Sequence, residues 1–466
     1  MIRLLFLFVL ALMSLYARAQ SPVSVKINTA KPQSVHLEEL NNGTRFIIFK
    51  DKISKLNFCF ISQKGQESTE KAKCSFGDEI VGSQSNDSSI NIYTLSEQRN
   101  LLLKNINIFS SGKATQKPLL ELDTKLEKLS AVVKMDSVHA LITVSNDDQL
   151  IFRSFAGDKV LNTYLFKAKN KVLTDRLKKG VVVFNQEGQV PLLYYAKEKL
   201  KAFYENGHLI LVLDATIKGS PATLVEDFNL ESQTSSSFTY KEHHQNFYRS
   251  VSYYHNGYIY RLFDHRRDLM LNVHELGKEE LTGTYNLYKK STFSGAQPRF
   301  TTKQYHKSLI NIKPITDFRV QSRNFMFGEK SLCVMPLDDG GIQVNIGNYY
   351  EDNTGIIGVP GAVGLLITVA SMTARSLHES GKGVERYVSL NFNNSQLSGL
   401  SGKEHTSALN QLDDVYLNLM NRHQKLLFFD YCVLNREKYV AFVTAREKDK
   451  LQIFPLSNLE AKEYQQ

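Results

Sequence analysis

Hydrophobic residues fall along this chain in short runs of five to seven positions, separated by Asn, Asp and Gly. The runs include "RFIIF" from Arg45, "LNFCFI" from Leu56, "INIYTL" from Ile90, "HLILVLD" from His208 and "YIYRLF" from Tyr258. Later come "IQVNIG" from Ile342, "YVAFV" from Tyr439 and "LQIFPL" from Leu451. Lengths this short, rich in Ile, Val, Phe and Tyr, predict strands rather than helices. Between them stand Asn42-Gly43, Asn206-Gly207, Asn256-Gly257 and Asp339-Gly340. Asn-Gly supplies the positive φ values that a two-residue hairpin turn demands, so the strands are expected to pair antiparallel.

Two of these hairpins repeat one another. "FYENGHLILVLD" ends at Asp214 and "YYHNGYIYRLFD" ends at Asp264, which places Tyr204 and Tyr254, Asn206 and Asn256, Gly207 and Gly257, and the two aspartates 50 positions apart. Weaker copies lie at Ser145 to Phe155 and Leu337 to Gly347, while "LNNGTRFIIF" and "LNREKYVAFV" keep only the strand–turn–strand shape. A period near 50 with several strands per unit is the pattern of a β-propeller blade. A single blade cannot bury both its faces, so neighbouring blades must stack. The expected fold is all-β, a propeller of about seven (six to eight) degenerate blades. A set of β-sandwich domains would explain the short strands but not the 50-residue echo.

Three segments depart from the strand pattern. The first is a targeting signal: Arg3, the apolar run Leu4 to Leu12, and small residues Ala17 and Ala19 at the cleavage positions. Residues 1–19 are therefore expected to be removed, leaving 20–466 as one exported propeller-like domain in the periplasm or at the cell surface. The second is "GIIGVPGAVGLLITVASMTA", Gly355 to Ala374, which carries no charge. Glycines and Pro360 crowd its first half, and strands continue after it, so an insertion is favoured over a membrane span; Val359, Leu365, Leu366 and Ile367 are its candidate partner- or lipid-contacting residues. The third is a helix over Ser407 to Arg422, where Leu409, Leu412, Tyr416, Leu419 and Met420 follow 3–4 spacing. Together the last two make an insertion of about 353–424.

Composition narrows the function. The 466 residues carry a formal charge of +10, with lysines scattered and not gathered into one basic block. That describes a solvated surface, and an exported chain makes nucleic acid an improbable partner. Four cysteines in so long a chain do not make a disulfide scaffold. Cys59 and Cys74 are close enough to pair across a hairpin, whereas Cys333 and Cys432 sit in apolar runs as small buried hydrophobes.

No G-x-S-x-G, H-E-x-x-H, P-loop or C-x-x-C occurs, and the chain has no Trp for sugar stacking, although 22 Tyr could substitute. No catalytic residue, metal ligand or cofactor is assigned. The densest polar-aromatic stretch is Lys241 to Asp268, from which Tyr254, His255, Tyr258, Tyr260, His265 and Arg266 are taken as candidate ligand- or partner-binding residues. Against this stands ordinary sheet packing, since alternating Tyr suits a twisted strand. The pairs Asp147-Asp148 and Asp338-Asp339 fall in predicted turns, where Asp is chosen for local hydrogen bonding, and Asp413-Asp414 falls in the predicted helix.

The signal, the Lys/Asn/Tyr-rich strands, the degenerate 50-residue units and the late Gly-rich apolar insertion resemble uncharacterised exported β-propeller-like proteins of Bacteroidetes-type bacteria, over Asn41 to Leu456. The resemblance carries no functional residues. The expected function is a non-enzymatic binding or scaffold protein with a protein or glycan partner. The alternatives are an envelope hydrolase acting on glycans or peptides and a membrane-attached envelope protein.

Overall fold

The computed structural model describes residues 23–27, 34–40, 45–50, 55–61, 67–73, 79–96, 101–109, 113–135, 138–185, 196–242, 249–265, 268–287, 298–304, 309–315, 329–337, 339–351, 383–397, 407–423, 426–434 and 437–456. These residues form seven sheets of four or five strands each, within the expected six to eight. The fold is a β-propeller, built from the antiparallel meanders that the hairpin signals predict. The chain divides into two units, Met1–Phe76 with Gln411–Gln466, and Gly77–Asn410.

The first unit holds two sheets. One is a meander of β2 (Ser34–Glu39), β3 (Arg45–Lys50), β4 (Lys55–Ile61) and β5 (Glu67–Lys73). The other runs β1 (Val23–Lys26), β30 (Lys450–Pro455), β29 (Glu437–Thr444), β28 (Leu426–Leu434) in spatial order, so the first strand completes the last sheet. That pairing, Val23 opposite Ile453 and Val25 opposite Leu451, ties the two chain ends by main-chain hydrogen bonds. Phe49, Val35 and Ile47 pack with Phe428, Ala441 and Val443 in one core between these sheets. Buried Asp430 accepts the Val35 N–H at 3.1 Å, fastening β2 to β28.

The second unit holds five sheets. The first is β6 (Glu79–Ser85), β7 (Ser89–Ser96), β8 (Leu101–Phe109) and β9 (Ala114–Leu122). Next is β10 (Glu127–Met135), β11 (Val138–Ser145), β12 (Gln149–Ala156) and β13 (Lys159–Lys167). The third is β14 (Val182–Asn185), β15 (Leu200–Glu205), β16 (His208–Ile217), β17 (Ser220–Asn229) and β18 (Thr234–Lys241), with β14 parallel to β15. The fourth is β19 (Arg249–His255), β20 (Tyr258–His265), β21 (Asp268–Glu275) and β22 (Leu281–Asn286). The fifth contains β23 (Arg299–Gln304), β24 (Leu309–Pro314), β25 (Glu329–Pro336), β26 (Ile342–Glu351) and β27 (Gly383–Phe392), in spatial order β24-β23-β27-β26-β25.

Within the second unit neighbouring sheets pack against one another; β7 is buried at every position, whereas β9 and β13 stay largely exposed. Phe152 and Phe166 of one sheet meet Phe228 of the next with ring centroids 6.1 and 5.3 Å away. Burying such a side chain contributes about 1.5–3 kcal/mol. The two strongest repeat copies are the β15–β16 and β19–β20 hairpins of successive sheets. Their turns have φ of 49° and 79° at Asn206-Gly207, and 48° and 80° at Asn256-Gly257, the left-handed pair that only Asn and Gly adopt at low cost.

Two helices are described. The 3–4 pattern near the C-terminus forms α2 (Ala408–His423), with Leu409, Leu412, Val415 and Leu419 buried. The shorter α1 (Lys171–Leu177) is capped by Asn170, whose side chain accepts the Val172 N–H, and inserts Leu173 and Leu177 into the core. Part of the expected 353–424 insertion belongs to the sheet: β27 pairs with both β26 and β23. The stretch 355–374, with Val359, Leu365, Leu366 and Ile367, lies outside the described residues, as do the signal segment, the Asn42-Gly43 turn and Cys74; the Cys59 side chain does too. Cys333 and Cys432 are free and buried. Among the described residues no helix is long and apolar enough to cross a membrane.

Candidate functional site

Hairpin register places polar residues in rows. In the fourth sheet of the second unit, Ser252 lies opposite Arg261, Arg261 opposite Asn272, and Asn272 opposite Thr284. Residues directly opposite one another share a face, so these four cross the sheet side by side. The neighbouring sheet presents a second row, Asp214, Thr223 and Tyr240. The two rows meet as a polar seam inside an otherwise apolar contact.

The seam is one directed hydrogen-bond chain. Arg261 Nε donates to Thr223 Oγ1 at 3.0 Å, and the Thr223 and Ser252 hydroxyls lie 2.7 Å apart. Ser252 donates to Asp214 through its Oγ at 2.7 Å and its backbone N–H at 2.8 Å. Thr223 accepts from Arg261, and its own hydroxyl proton is shared between Ser252 Oγ and the same Asp214 oxygen, 3.4 Å away. Lys201 Nζ stands 3.6 Å from the second Asp214 oxygen. Arg261, Lys201, Thr223 and Ser252 are fully buried and Asp214 nearly so. Lys201 thus faces the buried carboxylate directly, and Arg261 reaches it through Thr223.

Beyond Arg261 the sheets part around a cavity of about 500 Å³, walled by Tyr240, Met270, Asn272 and His274 with Thr239, Leu281 and Thr284. Lys241, Glu242 and Glu279 bring further charges to it. His274 Nδ1 lies 2.9 Å from the Glu279 carbonyl, to which it must donate, so its bare Nε2 faces Arg261 Nη1 at 3.5 Å. Tyr240 OH accepts the Gly277 N–H at 2.9 Å and donates to the Glu275 carbonyl at 3.3 Å. The guanidinium carbon lies 4.6 Å from the centre of the Phe263 ring. Its Nη2 is buried without a hydrogen-bond partner.

Burial sets the charge states. Desolvation brings the Arg261 pKa down to about 10, which leaves a cation at neutral pH. Burial, then the Arg261 charge, pushes His274 below the usual imidazole value, and burial pushes the Tyr240 phenol up.

Of the six candidate residues in 241–268, the four with described side chains, Tyr254, His255, Tyr258 and Tyr260, do not line this cavity. Tyr254 and Tyr260 are buried: Tyr254 OH donates to Glu205 and accepts the Gly257 N–H at 3.1 Å, and Tyr260 OH donates to the Ser395 carbonyl at 2.9 Å. His255 is also buried, its pKa brought down to about 4 by desolvation, and Tyr258 is half-buried. These side chains stitch sheets together, which is the packing role that alternating aromatics on a strand suggest, rather than forming an open ligand-facing surface. The side chains of His265 and Arg266 lie outside the described residues. Arg261, three positions from Tyr258, is not among the sequence candidates; its signal is one arginine inside the apolar run "YIYRLF". Among the described residues no group of three or more His, Cys, Asp or Glu could hold a metal ion. Asp148 pairs with Lys178 at 2.6 Å at its turn.

No family model matches this chain, and no curated protein matches it. Among solved structures, it is similar to the WD40 domain of SCAP from fission yeast, with 13% identity over 79% of this chain and 85% of that one, at a TM-score of 0.28. It is similar to a mutant of Synechocystis apocarotenoid oxygenase, at 9% identity and TM-score 0.27, over 57% of this chain and 62% of that one. A third is the SapL1 lectin in complex with alpha methyl fucoside, at 9% identity and TM-score 0.24, covering 72% and 96% of the two chains. No residue role is carried over from any of them.

Proposed function

We propose that this chain is an exported, non-enzymatic binding or scaffold protein whose partner is a protein or a glycan. The observation that carries the reading is the cavity at the end of the polar seam. It combines one fixed cation with hydrogen-bonding groups and apolar walls, the composition of a recognition site. Its arginine, tyrosine and histidine are moved away from, or already stand far from, proton exchange near neutral pH, whereas a general acid or base works best when its pKa lies near the operating pH. Export rests on Arg3, Leu4 to Leu12 and the Ala17/Ala19 cleavage signature.

The test is to apply the purified mature chain to a glycan array and to a set of purified envelope proteins. Bound material is then incubated with the chain and analysed by mass spectrometry. Saturable binding with the bound molecule recovered intact is the expected result. Release of cleaved glycan or peptide would overturn the reading in favour of a hydrolase, and absence of saturable binding to either class would also overturn it.

A further inference from the structure

We infer that the cavity beside Arg261 is a carboxylate-binding site that takes an acidic sugar of the hexuronate class. The inference rests on the binding-protein reading and specifies its ligand. Arg261 is fully buried, carries its charge, and has no carboxylate within ion-pair distance among the described residues. Its Nε is spent on Thr223, yet its buried Nη2 makes no hydrogen bond, and Arg261 lines the cavity. A buried charge is costly unless it is paired, and an unmade buried hydrogen bond adds to that cost. Asp214 is already shared with Lys201 and occupied by Ser252, so the Glu242 and Asp214 charges favour the Arg261 cation from beyond ion-pair distance and neither carboxylate bonds it.

The chemistry of the walls selects among anions. A guanidinium presents a planar fork that matches a carboxylate or phosphate. Glu242 and Glu279 outnumber Lys241 at the cavity, so these outer charges together oppose an ion carrying two negative charges more than one carrying a single charge. Thr284 donates to Asn272 Oδ1 at 2.8 Å, which leaves the Asn272 amide N–H groups for a ligand hydroxyl. Tyr240, Met270 and Leu281 supply apolar surface for the C–H face of a sugar ring. About 500 Å³ accommodates such a ligand. Because the guanidinium has no open surface, the carboxylate must displace flexible wall side chains to reach it, and Met270 is suited to such movement.

Isothermal titration of the mature chain with D-galacturonate, its methyl ester, D-galactose and inorganic phosphate, at matched ionic strength, tests this. Galacturonate is expected to bind, with the ester, galactose and phosphate each at least about tenfold weaker. Arg261→Lys is expected to weaken galacturonate at least about tenfold. Glu242→Gln, outside the buried chain, is expected to tighten it severalfold by removing a like charge, and decides the matter if Arg261→Lys does not fold. Equal binding of galacturonate and its ester, preference for phosphate, or no effect of Glu242→Gln would overturn the inference. So would absence of galacturonate binding. If the chain binds a neutral glycan or a protein and Arg261→Lys leaves that binding unchanged, the inference fails while the binding-protein reading stands. Cleavage of a bound glycan defeats that reading instead.

Discussion

Replacing Asp214 by Asn keeps the shape of the side chain and removes its charge, which isolates what the carboxylate does inside the seam. The wild-type group faces Lys201 Nζ at 3.6 Å and accepts two bonds from Ser252 at 2.8 and 2.7 Å. Lys201 is fully buried, and desolvation pushes its pKa down while Asp214 pulls it back up. Without the carboxylate, the ammonium keeps its bond to the Glu198 carbonyl but loses its nearest counter-charge, and must stay charged in the interior or give up its proton. Breaking a buried pair in this way costs about 3–5 kcal/mol. The amide also turns N–H donors toward groups that were themselves donating. Asp214→Asn should therefore destabilise the fold by about 3–5 kcal/mol, read as a lowered urea midpoint by far-ultraviolet circular dichroism and tyrosine fluorescence, the chain having no Trp. Adding Lys201→Met removes the stranded cation, so the double variant should be more stable than the sum of the single costs by up to about 3 kcal/mol. A cost below about 1 kcal/mol for Asp214→Asn, or strict additivity in the double variant, would refute the claim that Asp214 neutralises Lys201.

Other buried contacts respond to pH and to added volume. His139 and His255 are held by burial at pKa values of about 3 and 4, below the 6.5 of an unfolded histidine. The unfolded chain takes up protons that the folded chain refuses, so stability is full above pH 6.5 and falls as the pH drops toward 4. The loss approaches about 1.4 kcal/mol per pH unit for each histidine. Urea midpoints from pH 7.5 to 4 should fall less steeply in His139→Gln/His255→Gln, and parallel curves would contradict the assignment. Gly82, at a register shift in β6, passes under the His139 ring, and an added Cβ would stand 2.3 Å from Nε2. The ring cannot retreat freely because Tyr93 and Phe155 flank it, with centroids 5.1 and 5.7 Å away. Gly82→Ala should cost about 1–3 kcal/mol, and less in a His139→Ala background; equal costs in both backgrounds would exclude the clash.

Much of this fold is legible in residue order because hairpins are local. Asn206-Gly207 and Asn256-Gly257 announce their turns, and Leu409 to Leu419 announce α2, since each signal spans only a few neighbours. The elements that escape are those fixed by distant partners. Parallel β14 is four residues long and pairs across intervening chain, and β23 joins β27 more than 80 positions later. The seam escapes for the same reason. Ser252, Arg261, Asn272 and Thr284 have no fixed spacing, and only the register of three successive hairpins aligns them. The tyrosines of the same segment are conspicuous in composition, yet the Tyr254 and Tyr260 hydroxyls are consumed internally. An arginine flanked by Tyr, Ile, Leu and Phe was the better clue, because a buried charge requires a partner and the run supplies none.

Arg261 reads a ligand instead of only holding two sheets together, and crystals of residues 20–466 grown with and without D-galacturonate decide whether it does. Sugar density is expected in the cavity, with a carboxylate oxygen within about 3 Å of Arg261 Nη2. A trapped water satisfying Nη2 in both crystals, with the sugar absent from the cavity or bound elsewhere, would contradict it.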